Sequence, residues 1–326
     1  MQSRLALGGV IATLLLLVGN PLRAQVDVRE RRLPLGPNRP AGEAVAPFLE
    51  GWYANPDGTY TVSFGYFNFN TEESIEIPLG PNNNIEPAEF DGMQPTYFPA
   101  PTGGTGRGAP GYNRHERGVF TVTVPAEYGD ERKSVVWTLR VHSETHTLKA
   151  SVGRSALQLD YGPRAMGSVP PVIAFEEDGL QGQHPTGITR KETLTTSVGS
   201  PLTLTVWVSD PSERLREALG ELYEEVPVRL TWFKHQGFVG GDVVFDRVGE
   251  PWRMPGEGGE SEDEDKLEPY QHRVAPSGGQ STMTATFSEP GEYALRVRAD
   301  NWSAHDSSAG DQCCWTNGYV NVRVTR

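Results

Sequence analysis

Two antiparallel β-sandwich domains in series are what this sequence predicts, and three observations carry the prediction. Glycine and proline, 37 and 26 of 326 residues, punctuate short apolar runs, a composition that suits a turn-rich all-β chain. Those runs alternate with period two, as at Tyr60, Val62 and Phe64 and again at Tyr293, Leu295 and Val297, which marks half-buried strands. The length accommodates two hydrophobic cores, and 37% hydrophobic with 9% aromatic content argues against wholesale disorder.

Residues 1–24 read as a signal peptide. Arg4 precedes an apolar run from Leu5 to Val18, Gly19-Asn20-Pro21 breaks it, and Ala24 offers a small residue for cleavage before Gln25. The run is short for a transmembrane helix, so the expectation is an exported protein, periplasmic or secreted, with no membrane span after cleavage. The net charge of −13 becomes two units more negative once Arg4 and Arg23 leave with the signal. A surface this acidic excludes nucleic acid as a partner. Residues 25–46, rich in Arg, Pro and Gly, read as an extended leader.

The first domain is assigned to residues 47–162. Asn55-Pro56-Asp57-Gly58 is a turn between Trp52-Tyr53 and the aromatic run from Tyr60 to Asn70. Gly65 interrupts that run, and a bulge there would shift Phe67 and Phe69 to the other parity. Ile75, Ile77 and Leu79 form a short alternating strand before the turn at Gly80 to Asn84. Residues 86–117, dense in Pro and Gly, read as a long surface loop, in which His115 and Glu116 have no evident partner. Strands follow at 118–124, 135–141 and 148–152, and the domain closes around Leu157 to Tyr161.

Residues 163–171 read as a linker, and 172–326 as the second domain. Val172 to Phe175 is a first edge strand, Leu202 to Val208 a second, and Val228 to Lys234 a third with Trp232 inward. Asp210-Pro211-Ser212-Glu213, with Leu215, Leu219 and Leu222 at helical spacing, predicts one short helical insertion. Val243 to Phe245, Met283 to Phe287, the Tyr293 strand and Tyr319 to Val324 complete the set. A Pro-Gly corner followed by Tyr293, two residues before the inward Leu295, matches the tyrosine corner of immunoglobulin-like sandwiches, and Trp232 matches their core tryptophan. The second domain is therefore expected to be immunoglobulin-like, with Trp232 and Tyr293 structural.

The sequences Phe64-Gly-Tyr-Phe-Asn-Phe-Asn70, Ile77-Pro-Leu-Gly-Pro-Asn82 and Gln312-Cys-Cys-Trp-Thr-Asn317 give the chain, over roughly residues 48–325, a resemblance to a family of uncharacterised exported bacterial two-domain β-sandwich proteins. Through Trp232 and Pro290 to Leu295 the second half is also similar to PKD-type and other immunoglobulin-like modules. The first resemblance implies no activity; the second implies spacing, presentation or binding rather than catalysis.

The candidate chemistry is sparse. Cys313 and Cys314, the only cysteines, are open to three readings: a vicinal disulfide, a reduced pair, or metal ligands. Asp300, Asp306 and Asp311 supply hard oxygens of the kind calcium takes, or belong to a solvated loop; no other cofactor is indicated. The acidic run at 256–268 reads as a solvated loop. His142, Glu144 and His146 alternate at a hairpin tip, a weak zinc pattern. Trp52, Tyr66, Phe67 and Phe69 are either core or a ligand-stacking platform. No nucleophile elbow or catalytic triad is present. The sequence thus predicts a non-catalytic binding or structural module meeting protein or glycan at the cell envelope. A carbohydrate-binding module using the first-domain aromatics is the alternative, and a hydrolase with an interdomain site ranks behind it.

Intact-mass measurement of the exported protein tests the leader and the cysteines together. The expected chain begins at Gln25; a mass two hydrogens light with no alkylation until reduction marks the vicinal disulfide, two alkylated thiols mark the reduced pair, and a chelator-sensitive mass shift marks a bound metal.

Overall fold

The computed structural model describes residues 39–101, 115–129, 133–159, 167–213, 226–252, 267–301 and 314–326. The signal segment, most of the leader, residues 214–225 of the expected helical insertion and most of the acidic run lie outside them. The described chain is all-β and forms two hydrophobic cores, one in each half.

The first half contains β1 (Val45–Ala54), β2 (Tyr60–Asn68), β3 (Ile75–Glu76), β4 (Asn83–Glu86), β5 (Tyr97–Phe98), β6 (His115–Val124), β7 (Val135–Val141) and β8 (Glu144–Ala150). Two antiparallel sheets, ordered β1-β2-β6 and β4-β7-β8, are joined by the small β3-β5 ladder. Phe64, Phe120 and Trp137 meet at the centre of the core, with ring centroids 4.9 to 6.0 Å apart, where stacked and edge-to-face pairs add to simple area burial. Ile77 is buried in that core, whereas Leu79 faces solvent, so the short alternating run ends earlier than its sequence suggests.

Gly65 does not shift the parity of β2. Val62, Phe64 and Tyr66 stay on the buried face, while Phe67 and Phe69 stack on each other with Phe48 edge-on to Phe67. The irregularities fall on the neighbouring strands instead. Glu50 is the extra residue of β1, and in β6 residues 117–119 oppose the single Gly65 between the pairs Phe64↔Phe120 and Tyr66↔Glu116, an insertion of two. A bulge on a partner strand bends the sheet without re-aiming the strand that lacks the insertion.

The segment from Glu86 onward is likewise no plain surface loop. It carries a 3-10 turn (Ala88–Phe90) and β5, with Phe98 fully buried. Side-chain amides satisfy its backbone. Asn68 Nδ2 donates to the carbonyls of Glu73, Phe98 and Pro99 at 2.9, 3.2 and 3.0 Å. Asn83 Nδ2 donates to Ile77 and Pro95, and Asn83 Oδ1 accepts from Trp137 Nε1. Buried backbone needs such partners wherever no ladder supplies them.

The second half contains β9 (Val172–Ala174), β10 (Gln181–Gly182), β11 (Ile188–Thr189), β12 (Leu194–Ser197), β13 (Leu202–Ser209), β14 (Val228–Gln236), β15 (Val243–Val248), β16 (Gln271–Val274), β17 (Gly279–Phe287), β18 (Gly291–Asp300) and β19 (Trp315–Thr325). One sheet runs β10-β9-β13-β17-β15. The other runs β11-β19-β18-β14-β16, with β12 also pairing in parallel with β19. The arrangement is that of an immunoglobulin-like sandwich. Trp232 and Leu295 are buried in its core, and Tyr293 closes the corner by donating its hydroxyl to the Glu289 carbonyl at 2.8 Å. Residues 167–171 of the connecting segment are fastened rather than loose. Ser212 Oγ and Asn301 Nδ2 both donate to the Val169 carbonyl, and Gln183 Nε2 donates to that of Pro170.

Tyr293→Phe removes only the corner hydrogen bond. The expected cost is roughly 1 kcal/mol, read as a lowered unfolding temperature with an unchanged far-ultraviolet spectrum.

Candidate binding cleft between the two sandwiches

The two halves meet through polar side chains projecting from β14, β18 and β19. From β14, Lys234 donates to Glu76, His235 donates Nε2–H to the Met93 carbonyl at 2.8 Å, and Gln236 Nε2 donates to the carbonyls of Gly92 and Gln94, each at 2.8 Å. In return Thr96 N–H donates to the His235 carbonyl at 2.9 Å. From β19, Asn317 Nδ2 donates to the Gly118 carbonyl at 2.7 Å and Tyr319 Oη donates to that of Val119 at 3.0 Å. Gly118, at φ +53°, lies so close to the Trp315 indole that an added Cβ would fall 1.9 Å from Nε1. Only glycine satisfies both the left-handed backbone and that approach.

The charged centre of the junction is Glu116 on β6, whose Oε1 accepts from Arg296 Nη2 and Arg298 Nη1, each at 2.9 Å. Arg296 is 2% exposed. It also donates to Asn317 Oδ1 and lies 4.1 Å from the Phe233 ring centre. Arg298 pairs further with Asp300 at 3.5 Å. Burial disfavours the Arg298 charge, but the carboxylates of Glu116 and Asp300 outweigh it and raise the pKa. Glu116, which the sequence leaves without a partner, is thus the acid that the junction is built on.

Beside this centre is a cleft of about 280 Å³. β14 pairs with β16 only as far as Thr231, so from Trp232 onward that edge of β14 borders the opening. Tyr66, Tyr97 and Pro99 to Pro101 wall it from the first half; Thr231 to Lys234, Asp242, Tyr270 and Arg298 wall it from the second. The Lys234 ammonium sits 4.8 Å from the Tyr97 ring centre and donates to the carbonyls of Phe238 and Gly241 as well as to Glu76. Tyr66 packs edge-on against Phe98, and burial, followed by the nearby Glu116 charge, raises its phenol pKa well above the ordinary value.

The four aromatic residues considered for stacking are not brought together. Trp52 is buried in the first core, with Nε1 donating to the Arg154 carbonyl at 3.1 Å. Phe67 and Phe69 lie across β2 from Tyr66, and Tyr66 alone reaches the cleft. Asp300 is 5% exposed and faces the guanidinium groups of Arg229 and Arg298, whereas Asp306 and Asp311 lie outside the described residues. Cys314 is buried with its carbonyl facing Asn301 N–H; Cys313 lies outside the described residues. His142 pairs with Glu73, and His146 with Glu144. Among the described residues no three His, Cys, Asp or Glu side chains are grouped to hold a metal, and no helix is long and apolar enough to cross a membrane.

No known family model and no curated protein matches the chain. Solved structures to which it is similar include domains 4 and 5 of the S-layer protein SbsC (11% identity, 87% of this chain and 98% of that one, TM-score 0.20) and a multidomain segment of titin (11%, 86% and 66%, TM-score 0.21). The serine-rich repeat protein Srr2 from Streptococcus agalactiae is a third (9%, 85% and 91%, TM-score 0.20). Likeness at these scores carries no functional inference.

His235 makes the junction sensitive to acid. Burial first, and the Arg296 charge second, lower its pKa to about 3, against the opposing hydrogen bond to Met93. The unfolded imidazole takes its proton near pH 6.5. Between those values the unfolded state binds the extra proton, so this contribution to stability is complete above about pH 6.5 and is lost as pH falls toward 3. Urea titrations at about pH 7.5 and pH 5 should show roughly 2 kcal/mol more acid destabilisation in the wild type than in His235→Gln. Equal losses would remove His235 as the cause.

Proposed function

We propose that this chain is an exported, non-catalytic binding module of the periplasm or extracellular space, and that its ligand seats in the cleft between the two sandwiches. The observation that carries the reading is the cleft itself. It is walled by both halves, and the ion pairs and hydrogen bonds around it hold those halves in one fixed relation. Concave, largely preformed sites with aromatic walls and a few convergent polar groups are the usual form of small-ligand sites, and they favour domain junctions.

Binding without turnover is supported by how the charged groups are engaged. Glu116 accepts from two guanidinium groups, and Lys234 donates to the Glu76 carboxylate and to the carbonyls of Phe238 and Gly241, so both are committed to fixed partners of the fold. A general acid or base needs a proton it can exchange near the working pH, and groups committed to such pairs are poorly placed for that. The signal-like leader supports the exported location. A vicinal Cys313–Cys314 disulfide next to Trp315 would serve as a clamp at the start of β19, which also contributes Asn317 and Tyr319 to the junction.

The test is ligand-observed magnetic resonance with a small-molecule collection spanning sugars, amino acids, nucleotides and lipid headgroups. Ala100→Trp fills the cleft from its wall and serves as the blocked comparison. The expected result is a set of ligands whose signals vanish in Ala100→Trp at unchanged unfolding temperature and whose masses are unaltered after incubation. Ligands that still bind the folded blocked variant, or that are chemically converted, would overturn the reading.

A further inference from the structure

Resting on that reading of the cleft, we infer that its ligand is a neutral sugar ring, held between aromatic side chains and the hydrogen-bonding groups at the junction. Charge is the first argument. The lining contains Glu116 and Asp242 against Arg298 and Lys234, so no net charge awaits an ion. Three of the four are already paired within the fold: Glu116 with Arg296 and Arg298, Arg298 also with Asp300, and Lys234 with Glu76. A charged ligand would have to compete with those pairs and lose its hydration in doing so. A neutral polyol accepts and donates hydrogen bonds at the same groups without breaking any of them.

The second argument is the mixture of surfaces. Tyr66, Tyr97 and Tyr270 give the walls apolar ring area with hydroxyl tips, while carboxylate, guanidinium and amide groups stand beside them. Hydroxyls ringed by C–H bonds, as on a sugar, match that alternation better than a hydrocarbon or an inorganic ion does.

Unsatisfied polar atoms form the third argument. Thr231 and Trp232 both line the cleft and are 3% and 2% exposed. Their Oγ1 and Nε1 atoms have no hydrogen-bond partner among the described residues. Buried polar atoms left without partners are rare and costly; both lie behind the cleft wall, and a hydroxyl-bearing ligand would satisfy the Thr231 hydroxyl once that side chain turns toward it. Size sets the last limit. At about 280 Å³ the space falls just below the roughly 300–1,000 Å³ of drug-sized sites, which suits one ring and not a chain of them.

The experiment is titration calorimetry of the mature chain with glucose, galactose, mannose and N-acetylglucosamine, beside glucuronate and zwitterionic amino acids. At least one neutral sugar should bind saturably. Tyr97→Ala should weaken it by about tenfold, the order expected for loss of one aromatic wall, and Phe67→Ala, on the other face of β2, should leave it unchanged. Thr231→Val is the sharper variant. Replacing an unsatisfied hydroxyl by a methyl of the same shape should keep or raise the unfolding temperature while weakening the sugar severalfold, a combination that a purely structural role would not produce. Binding of glucuronate or an amino acid alone, sensitive to Tyr97→Ala, would overturn the sugar inference and leave the cleft reading standing. Sugar binding lost in Phe67→Ala but not in Tyr97→Ala would place the site elsewhere and overturn both. Absence of binding by every probe up to its solubility limit would overturn the sugar inference, with the blocked-cleft comparison deciding the broader reading.

Discussion

The buried charge of Arg296 is the constraint around which the rest of this structure is arranged. A guanidinium 2% exposed is tolerable only with a matched acceptor close by, because removing one partner of a buried pair costs about 3–5 kcal/mol. Its carboxylate, Glu116, comes from the other sandwich. β6 and β18 are therefore bound to each other across the junction, and their neighbours follow. The two-residue bulge within 117–119 that interrupts the ladder of β6 with β2 also places the carbonyls of Gly118 and Val119 where Asn317 and Tyr319 reach them. Burial first, and the same charge second, keep His235 neutral beside it.

A second layer of constraint comes from side-chain amides. Asn68, Asn83 and Gln94 are all buried and together bond the backbone of a proline-rich segment whose ladder is confined to the two pairs of β3 with β5. That segment supplies Tyr97 and Pro99 to the cleft and offers the carbonyls of Gly92, Met93 and Gln94 to β14. The Asn-Phe-Asn end of the aromatic run is thus less a binding motif than the fastening of one wall.

Much of the second sandwich is legible in the sequence, because its signals are periodic and local. The alternation of Tyr293, Leu295 and Val297, the Pro-Gly corner and the inward Trp232 each follow from strand geometry within a few residues. The candidate site is not legible in that way. Glu116 and Arg296 are 180 residues apart, and nothing in their immediate neighbours distinguishes a buried partner from a solvated charge. The one local hint was on the outer face of the Tyr293 strand, where Arg296 and Arg298 recur at spacing two beside Ala294. Two cations in a row on an otherwise strand-like face ask for an anion opposite them. Parity around Gly65 misleads for a related reason: an insertion on a partner strand leaves no mark in the strand that is read. Amide-held loops escape composition altogether, since Pro, Gly and Asn favour turns whether the turn is solvated or packed.

The polar character of the junction bears on which kind of module this is. Two domains that serve only as spacers need a joint that holds, and apolar packing of similar volume is often as stable as a buried ion pair or more so. Directional contacts, in contrast, fix distance and angle. Lys234 on Glu76, His235 on Met93, Gln236 on Gly92 and Gln94, and two arginines on Glu116 leave little freedom between the walls of the cleft. A recognition site assembled from both halves depends on such precision, because its hydrogen bonds weaken steeply once their geometry drifts. A tether does not. The energetic choice made at this joint therefore suits a site shared by the two sandwiches better than it suits a spacer.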